Sequence, residues 1–104
     1  MTSPGSAHGR FTRAIETRNL RGAETAMREM GDVSLLDALD YLALLAGARP
    51  DRFDQAALRW HGRFELEAST LTLAESQLAL AALGSLRMGG KDAVSILTRL
   101  LRRA

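Results

Sequence analysis

His61 and Glu65 stand four residues apart in a stretch whose apolar spacing predicts a helix, and Asp54 falls on the same flank. An imidazole and carboxylates one or two turns apart are the donors a divalent metal takes when no thiolate is at hand. The only other histidine, His8, lies far off near the N-terminus. A helix of that length also needs a solvated polar flank. The expectation is therefore an exposed ion-pairing face, with no metal and no cofactor.

Asp37 and Asp40 form a second pair, the only charges in the apolar run 35–46. Paired carboxylates are how general acid–base sites are often built. At helical spacing, however, Tyr41 and Leu44 fall beside them. Asp37, Asp40, Tyr41 and Leu44 then read as an exposed strip with an apolar centre and an acidic margin, suited to an Arg-bearing protein partner rather than to catalysis.

Arginines supply the third constellation. Arg59 and Arg63 share one flank of the helix that carries Trp60, and Arg99, Arg102 and Arg103 cluster at the C-terminus. Guanidinium groups in such numbers can contact phosphates, which makes a nucleic-acid-binding regulator the alternative reading. Cations at a helix C-terminus also complement its dipole without any ligand, and no aromatic-interleaved basic stripe is present. Trp60 and Phe64 read as core.

Other chemistry is excluded by what the chain lacks. There is no cysteine, so no disulfide, thiolate zinc site or thiol nucleophile. No Gly-rich phosphate loop, nucleophile elbow, zinc-protease pattern or dinucleotide fingerprint occurs. The chain is accordingly expected not to be an enzyme. Net charge is +2, and Lys91 is the single lysine among 14 basic residues, so the basicity is mild and arginine-borne. Apolar runs are broken by charge before membrane-spanning length, and the first residues carry no hydrophobic signal region, which makes the cytoplasm the expected location.

The elements that must position these residues are helices. Leu and Ala dominate over Val and Ile, a balance that favours helix over strand. Residues 1–9 read as a disordered tail, followed by a single helical domain over 10–104. A first helix places Phe11, Ala14 and Ile15 inward. After a break near Asn19, a second uses Leu20, Ala23, Met27 and Met30 and ends at Gly31. Ser34 caps the third, with Asp37 in its first turn and Val33 as staple, and it runs to about residue 46.

Gly47 and Pro50 punctuate, with Asp51 as the expected cap of a fourth helix whose stripe is Phe53, Ala57, Trp60 and Phe64. Gly62 is a candidate bend. Thr72 and Glu75 form a capping box before 73–86, a stretch without charge between Glu75 and Arg87 that reads as buried or as an interface. After Gly89 and Gly90, Ala93, Val94, Ile96, Leu97, Leu100 and Leu101 define the inward arc of a last helix. The helices starting near Ser34 and Thr72 stand about 38 residues apart. The fold expected is all-α, about six helices in a compact bundle or a short α-solenoid-like stack of helical hairpins, centred on 34–46 and 73–86.

The segment LTLAESQLALAALGSL resembles the opening helix of bacterial helix-turn-helix regulators. The adjoining RMGGKDAVSILTRLLRR departs from that pattern: two glycines occupy the turn, and few polar side chains stand where a recognition helix reads bases. SLLDALDYLALLA, PDRFDQAALRWHGRF and LTLAESQLALAAL together resemble small helical proteins common in actinobacterial genomes, a group without an assigned activity. The resemblance implies a helical fold and a bacterial cytoplasm, and carries no functional residues across. The functional expectation is a non-catalytic protein–protein interaction module, including self-association as a homodimer.

Overall fold

The computed structural model describes residues 5–103, and every regular element among them is an α-helix. In chain order these are α1 (Ala7–Glu16), α2 (Leu20–Met30), α3 (Leu35–Ala48), α4 (Pro50–Glu67), α5 (Leu73–Arg87) and α6 (Ala93–Arg103). The protein is an all-α helical bundle.

Local chemistry sets the helix boundaries. Side-chain oxygens of Ser6, Asn19, Ser34 and Thr72 each accept a hydrogen bond from a first-turn amide, satisfying donors that have no partner inside the helix. At Thr72 the capping box is complete: Glu75 N donates to Thr72 Oγ1 at 3.1 Å, and Thr72 N donates to Glu75 Oε1 at 3.0 Å. Between α5 and α6 two glycines turn the chain for different reasons. Gly89 has φ +83°, and Gly90 lies so close to Ser85 that a Cβ would sit 2.0 Å from its hydroxyl.

Several boundaries differ from expectation. The helix α1 begins at Ala7, inside the stretch read as a tail, because Ser6 caps it through Gly9 N at 3.0 Å. The first four residues of that expected tail lie outside the described residues. Asp51 is not the cap of α4: Pro50 occupies the first turn, the capping position falls on Arg49, and Asp51 instead accepts from the Arg49 guanidinium at 2.8 and 3.0 Å. Gly62 does not interrupt α4, which is one helix from Pro50 to Glu67.

Helices pair in order, α1 with α2, α3 with α4 and α5 with α6, and α3 also packs against α1, α2, α5 and α6. The expectation that α3 forms the centre is met: Leu39, Leu42 and Leu45 are fully buried. Two hydrophobic clusters flank it. The larger joins α3 to α6 through Leu39, Phe53, Trp60, Phe64, Leu83 and Leu97. The smaller is built by Phe11, Ala14, Ala23 and Ala26 of the α1–α2 hairpin, with Tyr41 and Leu44 of α3 packed against it. Ten- and eleven-residue helices cannot bury their apolar stripes on each other alone, and α3 supplies the remaining cover.

The helix α5 does not sit at the centre. It buries Ser76, Ala79, Ala82, Leu83 and Leu86 but turns Leu73, Leu78 and Leu80 outward. No described helix is long and apolar enough to cross a membrane.

Candidate functional site

The strip formed by Asp37, Asp40, Tyr41 and Leu44 is covered by the chain's own α1–α2 hairpin. Tyr41 and Leu44 pack on the Phe11–Ala26 cluster, and Asp37 Oδ2 lies 3.1 Å from His8 Nε2. Asp40 stays exposed beside Ile15, Arg18 and Leu44 at the α1–α3 junction. Partial loss of hydration, and then the neighbouring charge of Asp37, raise its carboxyl above the ordinary aspartate value. Tyr41 and Leu44, and in part Asp37, are thus taken up internally, since the amphipathic hairpin just upstream needs the same surface, while Asp40 remains exposed.

Polar ties lock this cover in place. Tyr41 Oη donates to Glu24 Oε2 at 2.7 Å, and Arg52 Nη2 of α4 donates to the same oxygen at 2.6 Å. The Tyr41 hydrogen bond, with the Arg52 guanidinium behind it, holds Glu24 below its ordinary range. Burial, and secondarily the Glu24 carboxylate, push the Tyr41 phenol up to about 12.

His61, Glu65 and Asp54 do not come together as metal ligands, and among the described residues no group of three or more His, Cys, Asp or Glu side chains is placed to hold an ion. Asp54 pairs with Arg87 of α5 at 2.8 Å. His61, expected on an exposed flank, is only 7% exposed. Its Nε2 lies 3.2 Å from the Ser76 carbonyl and 3.1 Å from Ser76 Oγ, and that hydroxyl donates to Glu65 Oε2 at 2.8 Å.

These are the residue types of a nucleophilic triad, but the roles do not fit one. The carboxylate lies 2.8 Å from the serine hydroxyl and 3.7 Å from His61 Nδ1, and His61 Nε2 is shared between the Ser76 carbonyl and hydroxyl. The cluster is a polar latch between α4 and α5. Ser76 carries no signal of its own in the sequence, whereas His61 falls four residues after buried Ala57 and three before buried Phe64, a spacing that places it inward.

The arginines are dispersed among different tasks. Arg63 pairs with Glu67 at 2.9 Å, and Arg103 with Glu75 at 2.9 Å. Arg99 and Arg102 are exposed on α6. Arg59 and Arg63 border a groove of about 270 Å³ floored by Met27, Ala38, Tyr41 and Trp60. His61 does not line this groove and points instead toward α5.

A different surface carries unassigned apolar area. On α5, Leu73, Gln77, Leu80, Gly84 and Arg87 recur at spacings of four and three, and all are exposed. Leu73 is 76% and Leu80 44% exposed, while Leu58 on the adjoining flank of α4 is 65% exposed. Between the two helices runs a groove of about 230 Å³ lined by Phe53, Leu58, Leu80, Leu83 and Gly84, closed at one end by the Asp54–Arg87 pair. A Cβ added at Gly84 would meet nothing within 4 Å.

The class defined by these observations is an all-α bundle that exposes apolar side chains on α5 between Glu75 and Arg87. Compared with known proteins, the chain matches no family model, no curated protein and no solved structure.

Proposed function

We propose that the protein is a non-catalytic protein–protein interaction module that self-associates through the outer face of α4 and α5. One observation carries the reading: between Glu75 and Arg87 the stripe of α5 that carries Leu80 holds no charge, and Leu73 and Leu58 lie exposed alongside it. Soluble surfaces rarely leave such a seam uncharged without a partner to cover it.

The occupant best matched to the seam is a second copy. Two α5 helices meeting antiparallel about a two-fold axis place Leu73 of one opposite Gly84 of the other, and Leu80 opposite Gln77. A large side chain then meets a smaller one at each level, and no like charges oppose. The Asp54–Arg87 pairs would lie at the rim, where an already neutralised ion pair adds little repulsion. A nucleic-acid reading based on Arg59, Arg63, Arg99, Arg102 and Arg103 has less support, since carboxylates already engage Arg63 and Arg103.

The chain has no cysteine, so a single introduced thiol reports one position. Leu80→Cys treated with a short bis-maleimide is expected to give a covalent dimer, and Arg21→Cys on the α1–α2 hairpin is not. Equal crosslinking of the two, or none at position 80, would contradict the reading.

A further inference from the structure

A further concavity lies elsewhere, on the outer side of the α1–α2 hairpin. It encloses about 460 Å³ and is lined by Arg10, Arg13 and Arg21, by Thr17 and Thr25, and by a floor of Ala14, Gly22 and Ala26. No carboxylate lines it. Arg10 is engaged at one edge by Glu29, while Arg13 and Arg21 have no carboxylate partner among the described residues.

We infer that this groove docks the phosphodiester backbone of a nucleic acid. Guanidinium groups from two helices converge on one trough, and planar forked donors match phosphate oxygens. The floor residues Ala14 and Ala26 are small, and the Asn19 side chain, which caps α2, lies over Gly22. The lining includes no aromatic side chain, which removes base stacking and leaves a contact blind to sequence. An apolar peptide segment is the poorer occupant, because the arginines and hydroxyls border the trough on both helices. The site is distinct from Arg59 and Arg63, whose groove is floored by apolar side chains and suits phosphates less. It also does not depend on self-association: the hairpin packs on α3, whereas the face proposed for the second copy belongs to α4 and α5.

The test is fluorescence anisotropy with labelled probes: two unrelated DNA duplexes and one single-stranded RNA oligonucleotide. Binding is expected to be similar for the two duplexes. With the two phosphates that Arg13 and Arg21 can neutralise, affinity should fall about 12-fold as salt rises from about 50 to about 200 mM. The duplex and RNA arms tell which backbone geometry the trough prefers.

The double variant Arg13→Glu/Arg21→Glu should lose about tenfold or more in affinity, and Arg13→Gln/Arg21→Gln should fall between it and the parent. Arg59→Glu/Arg63→Glu should bind as the parent does. Helicity by circular dichroism and a single-particle mass by light scattering confirm that each variant is folded. Absence of binding to all three probes at low salt would overturn the proposal. So would loss confined to the Arg59/Arg63 variant, or preferential binding of a polyglutamate peptide over the nucleic acids. The outcome for the Leu80→Cys crosslink is read separately, so failure of one proposal leaves the other standing.

Discussion

Tyr41 of α3 donates its phenolic proton to Glu24 of α2 at 2.7 Å, and this contact lies where the N-terminal hairpin meets the rest of the bundle. Arg52 of α4 reaches the same carboxylate, so a single oxygen ties three helices together. The tie explains how a small second cluster, with Phe11 as its one fully buried large side chain, stays seated on α3.

The tie gives the bundle a defined alkaline limit. Tyr41 is the only tyrosine, and its phenol is raised from 10.0 to about 12. A raised phenol means that the fold favours the protonated form, so the stabilisation is fully present below pH 10 and disappears as pH climbs toward about 12. Tyrosinate absorbance should titrate late in the folded protein and near 10 in denaturant. Tyr41→Phe should remove the alkaline step and cost about 1 kcal/mol at neutral pH. A normal titration in the folded state would refute the contact.

The α4–α5 latch should behave as a buried polar unit. Ser76→Ala removes a partner from both His61 and Glu65, and is expected to cost about 1–3 kcal/mol in chemical denaturation. Ser76→Thr keeps the hydroxyl and should lose less. If the alanine variant matched the parent, the imidazole and carboxylate would not depend on Ser76.

The Thr72–Glu75 box should respond to acid. Hydrogen bonds from the Thr72 backbone and hydroxyl, and then Arg103, hold Glu75 below its ordinary value of 4.5. A depressed carboxyl stabilises the fold above its unfolded value, and this contribution is lost as pH falls through the lower folded value. Thr72→Ala should destabilise by about 1 kcal/mol, and the acid limb of a stability–pH profile should flatten in Glu75→Gln. An unchanged acid limb in Glu75→Gln would count against the assignment.

Position 84 separates monomer stability from association. With nothing within 4 Å of an added Cβ, Gly84→Ala should raise thermal stability by about 1 kcal/mol through helix propensity. Gly84→Leu should fold equally well yet block close approach of a second α5. A Gly84→Leu variant that associates as the parent does would remove Gly84 from the interface.

Much of the fold was legible because capping is local. Ser34, Asn19 and the Thr72–Glu75 box act on amides within three residues, so short windows contain the whole interaction. The start at Ser6 was hidden by flanking glycine, proline and serine, which resemble a tail until Phe11 is seen to anchor the hairpin. Which apolar surfaces face each other could not be read. Tyr41 and Leu44 carry the periodicity of a binding strip whether a partner or the chain's own hairpin covers them. The same holds for α5, whose Leu and Ala content looks alike buried or outward-facing, so the sequence leaves open whether it lies at the centre or forms an interface. At His61, polarity argues for solvent and the spacing from Ala57 for the core, and the serine that decides between them lies on another helix.

The most direct measurement is the solution mass by light scattering over a concentration series in about 50 and about 500 mM salt, since apolar packing resists screening while charge pairing does not. Association through the α5 seam predicts twice the 11.3 kDa chain mass in both salts, with the single-chain mass recovered in Leu80→Asp. A single-chain mass at every concentration, or a dimer that survives Leu80→Asp, would contradict it.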